Sequence, residues 1–231
     1  MKNEPCSARI LKPLLLLKEK RSKQKMRVYA PLQLHDLVLQ GGNFFENPRK
    51  LLSAPTNKKN PQLEHSIFFP KFYDSNPKTV KLLELVIEKY KPTTIVETGI
   101  ANGVSTRAIL EALKINKLTN SHLYSFDINP QVVTEDLKIN KQFTFKHVCK
   151  QNLQELFQDV PKIDLFYHDS DHTYRNQLTE YKIAWNKMSD GGILMSDDIN
   201  WSNAFLDFCF FVNRKPKILV DTEKFCGLIY K

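Results

Sequence analysis

The chain has 231 residues, of which 42% are hydrophobic, and its formal net charge at pH 7 is +9. These values fit a globular protein with one large domain and an extension, or with two small domains at most. They argue against a membrane-spanning protein, because no apolar run approaches the ~18 residues that a transmembrane helix needs. The four cysteines have no CxxC spacing, so we expect reduced thiols, no disulfide framework and a cytoplasmic location.

The excess of positive charge lies at the start of the chain. Residues 1–60 contain 13 Lys or Arg and 4 Asp or Glu, whereas residues 61–231 contain 21 of each. We interpret residues 1–75 as a basic N-terminal extension, partly irregular, with a helix-like piece near 10–27. Such an arm is either solvated or in contact with an anionic surface. Arms of this kind often pack on a neighbouring copy, so a homo-oligomer is one possible assembly. No aromatic residues interleave its charges, so a nucleic-acid partner is not indicated.

From residue 76 onward, helices and strands alternate. Asn76 followed by Pro77 is a helix-start signal, and this first helix is predicted to end before Pro92. Strands are predicted at 94–98, 122–128, 143–149, 163–168, 192–197, 217–221 and 225–230, with helices at 104–115, 130–139, 152–158, 173–188 and 202–213. This alternation predicts an α/β fold with a Rossmann-like, doubly wound and mostly parallel sheet. The short link before the last strand indicates a closing antiparallel hairpin.

The turn after the first predicted strand has the features of a cofactor site. Gly99 and Gly103 flank this turn, where glycine permits a positive φ and a close approach of a ligand to the backbone. Ser105 opens the next helix, whose N-terminal amides favour electron-rich groups. Asp127 ends the second strand, where an acid can accept hydrogen bonds from ribose hydroxyls. Glu97 precedes the turn and could bind the ammonium group of a ligand, directly or through water.

The composition of this turn favours one class of nucleotide-like cofactor over another. A dinucleotide site requires GxGxxG, but Ala101 stands at the second glycine position and Glu97 would repel a pyrophosphate. A cofactor with a ribose, no phosphate and a cationic amino-acid end fits better, and S-adenosylmethionine is such a molecule. A purely structural glycine turn is the alternative interpretation.

Carboxylates follow two later strands at the edge of the predicted sheet. Asp169 and Asp171 follow the fourth strand, and Asp197 and Asp198 end the fifth. Clustered carboxylates repel one another unless a proton or a cation neutralises them, and their hard oxygens select Mg²⁺, Mn²⁺ or Ca²⁺. The alternative is a set of turn and capping aspartates, with Asp171 at the start of the next helix. His172 lies beside this cluster and is a candidate general base.

Together these segments resemble class I S-adenosylmethionine-dependent methyltransferases. Within that class the sequence is more similar to the metal-dependent O-methyltransferases of the catechol and caffeoyl-CoA kind. It is most similar to the bacterial branch with macrolide-sugar O-methyltransferases and cephalosporin-hydroxylase-like proteins. The resemblance covers about residues 76–231 and is carried by VETGxxxGxST at 96–106, Asp127, HDSDHTY at 168–174 and GGILMSDD at 191–198.

The resemblance implies a fold and a set of site residues. It implies a seven-stranded sheet whose last strand is antiparallel, in a methyltransferase domain over residues 76–231. The implied cofactor contacts are Glu97, Gly99, Gly103, Ser105 and Asp127, with adenine contacts near 149–152, including Gln151. The implied metal ligands are Asp169, Asp197 and Asp198, and His172 stands where relatives carry a basic catalytic residue.

The function expected from these observations is a methyl transfer. The sequence predicts an S-adenosylmethionine-dependent O-methyltransferase, assisted by a divalent metal, that acts on a small molecule or a saccharide with adjacent hydroxyls. Its departure from the catechol-like enzymes is Asp197-Asp198 in place of Asp-Asn, which adds negative charge to the site. The alternatives are a metal-dependent enzyme of the same fold with another reaction, and a non-catalytic nucleotide-binding module that docks on an acidic partner.

Overall fold

The computed structural model of the chain describes residues 74–148, 153–220 and 224–231. The predicted N-terminal extension lies outside these residues except for its last two positions, and Gln151 lies outside them as well. The domain boundary, the partner of the extension and the adenine contact at Gln151 therefore stay predictions.

The first described helix, α1 (Pro77–Tyr90), begins where the sequence predicts. The Asn76 side chain caps it by accepting a hydrogen bond from the amide of Lys78 at 2.8 Å, and proline occupies the first turn, where no amide donor is needed. Its buried face includes Leu83 and Ile87, which are fully buried in a hydrophobic cluster shared with the second helix. The cap therefore holds the residues just before α1 in a defined position.

Most of the other predicted elements lie where the sequence places them. They are β1 (Thr94–Thr98), α2 (Val104–Ile115), β2 (His122–Asp127), a 3-10 turn (Pro130–Val132), α3 (Glu135–Lys138), β3 (Phe143–His147), α4 (Leu153–Leu156), β4 (Ile163–His168), α5 (Tyr174–Lys187), β5 (Met188–Ser196), α6 (Ala204–Phe211), β6 (Lys217–Val220) and β7 (Phe225–Tyr230).

Two predicted elements differ from the structure. The helix predicted at 130–139 is a 3-10 turn followed by the four-residue α3. The fifth strand begins at Met188 and not at 192, because Met188 pairs with Ile163 before an irregularity in the register of β4 and β5. The glycine pair at 191–192 is therefore inside the strand and not before it.

The described strands form one seven-stranded sheet in the order β3-β2-β1-β4-β5-β7-β6. Every pairing is parallel except those of β7, which runs antiparallel to both β5 and β6. The predicted Rossmann-like fold with an antiparallel last strand is thus confirmed. The direction of strand order reverses between β1 and β4, and the crevice beyond their carboxyl ends is where open α/β sheets bind ligands.

The two faces of the sheet are covered by different helices. Val96, Phe166 and Leu194 belong to a buried cluster that includes residues of α5 and α6. Ile95, Leu165, Met195 and their neighbours belong to a second cluster with residues of α1 and α2. The central residues of these strands are apolar on both faces, as expected for a parallel sheet. Tyr181 lies in the first cluster, and Trp185 packs against it.

Candidate active site

The turn between β1 and α2 has an unusual backbone. Gly99, Ala101 and Gly103 all have positive φ angles, of 87°, 47° and 74°. The amide of Gly99 donates to the carbonyl oxygen of Phe126 at 2.8 Å, which ties the turn to the end of β2. A glycine tolerates such angles, whereas the Cβ of an alanine makes them costly. The turn is therefore held in a conformation that its own sequence only partly favours.

Gly99 brings this turn into direct contact with the loop after β4. A Cβ atom on Gly99 would lie 2.2 Å from the carbonyl oxygen of Asp169 and 2.9 Å from Cα of Ser170. The amide of Asp169 in turn donates to the carbonyl oxygen of Thr98 at 2.8 Å. The predicted cofactor turn and the predicted acidic site are consequently adjacent, with no room for a side chain between their backbones.

Glu97 is fully buried beneath this turn. Its carboxylate accepts hydrogen bonds from the hydroxyls of Ser105 and Ser125 at 2.6 Å and from that of Thr106 at 2.7 Å. Burial raises the pKa of Glu97, and these three hydrogen bonds counteract the rise. In this structure Ser105 donates a hydrogen bond to Glu97. The contact of either residue with a cofactor stays a prediction.

Asp127 supports the same turn from the end of β2. One carboxylate oxygen accepts from the amide of Ile100 at 2.7 Å, and the other from the amide of Asn129 at 2.8 Å. Burial raises the pKa of Asp127, and the backbone hydrogen bonds lower it again. The amides of Ala101 and Ile128 also act on this carboxylate. Ile128, which sequence reasoning did not select, follows it with 47% of its surface exposed.

Asp169, Asp197 and Asp198, here called the carboxylate cluster, lie at the carboxyl ends of β4 and β5. Asp169 Oδ2 accepts from the hydroxyls of Ser75 at 2.7 Å and Tyr167 at 3.2 Å. Asp197 Oδ1 accepts from the hydroxyl of Thr79 at 3.2 Å. The start of α1 thus packs against the cluster.

Two basic side chains converge on the cluster. His172 Nε2 lies 3.8 Å from Asp169 Oδ1 and 3.5 Å from Asp198 Oδ2. Lys224 Nζ lies 3.6 Å from the same Asp198 oxygen and donates to the backbone carbonyl of Asp74 at 3.1 Å. The ring of Trp201 is 6.3 Å from that of His172, which gives the cluster an aromatic neighbour. The predicted grouping of Asp169, Asp198 and His172 therefore matches the arrangement seen here.

Burial and mutual repulsion perturb the ionisation of these groups. Burial, followed by the neighbouring charge of Asp197, raises the pKa of Asp169 well above its usual value. Burial and the charge of Asp198 raise the pKa of Asp197 to about 7. Burial, then the charges of His168 and Lys224, lowers the pKa of His172 well below its usual value. Burial thus favours the neutral form of His172, which is the form that can accept a proton.

The donors of the cluster are chemically suited to the predicted metal. Asp197 Oδ2 and Asp198 Oδ1 are buried carboxylate oxygens without a hydrogen-bond partner, and hard oxygens are the ligands that Mg²⁺, Mn²⁺ and Ca²⁺ prefer. Within the part of the chain that the structure describes, no three carboxylate, imidazole or thiol groups are arranged as ligands of one ion. Metal binding by the cluster stays a prediction.

His168 and Asp171 have structural surroundings. His168 is fully buried, and its Nδ1 lies 2.7 Å from the carboxylate of Glu180. Asp171 is exposed and accepts from both the amide and the hydroxyl of Thr173, the residue that caps α5. Asp171 is thus the turn aspartate that the alternative interpretation describes, while the cluster itself is built from the other three.

Three contributors to the site were not found from the sequence. Ser75 and Thr79 lie 94 and 118 residues from the aspartates that they contact, and hydroxyls at the start of a helix are read as capping residues. Lys224 lies at the start of β7, and no motif surrounds it. A hairpin strand inserted beside β5 was the one available signal, since such a strand brings its end close to Asp197.

Ala101 offers a test of the strain in the cofactor turn. Its φ of 47° costs an alanine more than a glycine, so we expect Ala101→Gly to raise the free energy of unfolding by up to ~1 kcal/mol. Ala108→Gly in the middle of α2 is the matched control and should lower it by ~1 kcal/mol. Urea denaturation measures both, and equal losses in the two variants would show that the turn is unstrained.

Comparison with known proteins gives one family match and a set of similar folds. Residues 96–199 match the family model described as a methyltransferase domain. None of the curated proteins is significantly similar to the chain in sequence.

Solved structures share the fold at low sequence identity. A protein from Klebsiella pneumoniae regarded as an O-methyltransferase is 16% identical, with a TM-score of 0.59 over 75% of this chain and 91% of that one. An O-methyltransferase from Bacillus cereus in complex with SAH is 15% identical, with a TM-score of 0.54 over 88% of this chain and 93% of that one. The O-methyltransferase TomG from Streptomyces achromogenes in complex with SAM is 11% identical, with a TM-score of 0.54 over 88% and 92%.

At these identities the structural likeness establishes the fold. The family match covers residues 96–199, which include the cofactor turn and the carboxylate cluster. Among the described helices, none is both long and apolar enough to cross a membrane.

Proposed function

We propose that this protein transfers the methyl group of S-adenosylmethionine to a hydroxyl oxygen of a small-molecule or saccharide acceptor. The observation that carries the proposal is the backbone contact between Gly99 and Asp169, since it joins the cofactor turn to the carboxylate cluster. Methyl transfer requires donor and acceptor to be held side by side in line, and their alignment is the main contribution of the enzyme. O-methyltransferases among the solved structures with this fold add support.

On the donor side, the turn and the end of β2 hold the cofactor. When bound, S-adenosylmethionine supplies an electrophilic methyl group on a sulfonium. Asp127 takes the ribose hydroxyls, and the exposed side chain of Ile128 offers an apolar surface for the adenine. Glu97 stiffens the turn through the hydroxyls of Ser105 and Thr106, so that the turn amides keep their direction.

On the acceptor side, the carboxylate cluster and His172 face the substrate. Neutral His172 accepts the proton of the hydroxyl that becomes methylated. A divalent metal, when bound, would be held by Asp169, Asp197 and Asp198 and would supply Lewis acidity to an acceptor with adjacent hydroxyls. The two unpartnered oxygens of Asp197 and Asp198 support this assignment.

Transfer of a labelled methyl group tests the proposal. The full chain would be incubated with methyl-labelled S-adenosylmethionine, with Mg²⁺ or EDTA, and with panels of sugars, nucleotide sugars and polyphenols. We expect a labelled methyl ether, identified by NMR, in at least one panel. Methylation at nitrogen or carbon alone, or no binding of S-adenosylmethionine in calorimetry, would refute the proposal. Full activity in EDTA would refute the metal.

His172→Ala separates the proposed base from cofactor binding. Removal of a general base costs about 10²- to 10⁴-fold in rate, so we expect kcat to fall by that factor. The Kd for S-adenosylmethionine should change by less than about threefold, because His172 contacts the cluster and not the cofactor turn. His122→Ala is the control, since His122 starts β2 at the opposite edge of the sheet. An unchanged kcat in His172→Ala would exclude this role.

A further inference from the structure

Lys224 places a positive charge inside the carboxylate cluster. Its side chain is 15% exposed, and its ammonium lies 3.6 Å from Asp198 Oδ2. A second contact, a 3.1 Å hydrogen bond to the carbonyl of Asp74, holds the ammonium between the start of β7 and the residues that precede α1. Two contacts therefore hold the Lys224 ammonium at the site.

The hydrogen bonds of the cluster leave a defined set of oxygens for another cation. Ser75 and Tyr167 bond to Asp169 Oδ2, and Thr79 bonds to Asp197 Oδ1. Among the buried oxygens of the cluster, Asp197 Oδ2 and Asp198 Oδ1 have no hydrogen-bond partner. Asp198 therefore presents one unpartnered oxygen, while the lysine ammonium lies closest to the other.

A dication bound at the unpartnered oxygens would lie close to the Lys224 ammonium. Two positive charges this close repel strongly where little water screens them. The dication and the Lys224 ammonium would both be neutralised by the same carboxylate charges, so the binding of one weakens the binding of the other.

We propose that Lys224 is an internal competitor for divalent metal, and that a metal binds the cluster when the Lys224 ammonium leaves Asp198. This inference rests on the proposed function and adds to it a way in which metal occupancy is set. The displaced ammonium can remain hydrogen-bonded to the backbone carbonyl of Asp74, which already accepts a hydrogen bond from Lys224. Metal affinity is thereby coupled to the position of the segment that precedes α1.

Mn²⁺ binding, measured by the loss of the free-ion EPR signal, tests the competition without any turnover. Lys224→Met removes the charge and keeps most of the apolar stem, and we expect it to bind Mn²⁺ roughly tenfold tighter than the unmodified chain or better. Lys224→Arg keeps the charge and should stay within about threefold of the unmodified chain. Lys217→Met is the matched control, because its ammonium lies over the ring of Tyr230 and away from the cluster.

The outcomes separate this inference from the proposed function. Equal Mn²⁺ affinities in Lys224→Met and the unmodified chain, an equal gain in Lys217→Met, or no Mn²⁺ uptake by any of the proteins would overturn the competition. Calorimetry with S-adenosylmethionine on the same samples reports separately on the methyltransferase proposal. Circular dichroism checks that each variant is folded, and Lys224→Gln provides a second removal of the charge if Lys224→Met is not.

Discussion

Gly99→Ala is expected to abolish methyl transfer and to lower the free energy of unfolding by about 3 kcal/mol or more. The new Cβ would lie 2.2 Å from the carbonyl oxygen of Asp169 and 2.6 Å from its carbonyl carbon, and φ at this position is 87°. The atoms that the Cβ would meet belong to the backbone after β4, so rotation of a side chain cannot relieve the clash. The loops after β1 and β4 must separate, which moves the cofactor turn away from the cluster.

Substitution of a second glycine separates the steric clash at position 99 from the cost of a positive φ. Gly191 has a φ of 79°, but no atom lies within 4 Å of a Cβ at that position. Gly191→Ala should therefore show only the backbone cost of a positive φ, about 1 kcal/mol, with kcat unchanged. Urea denaturation gives the stabilities and calorimetry the cofactor affinity. Similar losses in the two variants would mean that the contact with Asp169 is not what requires glycine at position 99.

The fold was predictable from the sequence where burial is complete. β1, α2 and β4 begin and end at the predicted residues, because each is a continuous apolar or amphipathic run with a proline, a glycine turn or charged residues at its ends. The prediction of one continuous helix at 130–139 was wrong. The buried apolar residues of this segment, Val132 and Leu137, are five positions apart, and Ile139 is 79% exposed, so apolar residues at helical spacing do not face the core over the whole segment.

The site was predictable only where local sequence determines position. Asp169, Asp197 and Asp198 were placed together because parallel strands end at one edge of a sheet. Ser75, Thr79 and Lys224 come from the start of α1 and from β7, and their distances from the cluster depend on helix packing and strand order. No periodicity or spacing in one sequence reports such contacts. Glu97 illustrates the same limit, since the three hydroxyls that surround it come from α2 and β2.

Asp197→Asn is expected to make the metal-free protein more stable at pH 8 while methyl transfer falls about 100-fold or more. Asp197 is buried beside Asp198, and one of its oxygens has no partner. A buried charge in this position opposes folding, and the neutral amide removes that charge at nearly the same volume. The same charge is what the cluster offers to a cation, so the substitution should stabilise the fold and impair the reaction together.

The stabilising effect of Asp197→Asn should depend on pH, and the pKa of Asp197 determines the direction of that dependence. Because burial and Asp198 raise the pKa of Asp197 to about 7, the folded protein keeps a proton that the unfolded chain releases above about pH 4. The contribution of Asp197 to stability is therefore complete below pH 4 and is lost as pH rises to 7. The advantage of Asp197→Asn should be absent near pH 4, grow through pH 5 and 6, and reach about 2 kcal/mol or more at pH 8 in EDTA.

Asp164→Asn provides a control of opposite sign. Burial acts to raise the pKa of Asp164, but hydrogen bonds from Thr93, Thr94 and Ser189 together lower it below its usual value. A carboxylate with a lowered pKa stabilises the fold above the pKa of the unfolded chain, so this variant should be less stable than the unmodified protein at pH 8 and should approach it as pH falls. Thermal unfolding between pH 4 and 8 compares the two. A destabilised Asp197→Asn at pH 8 would mean that the ionised Asp197 side chain is already compensated in the metal-free fold, and the cluster would then have no unbalanced charge with which to bind a cation.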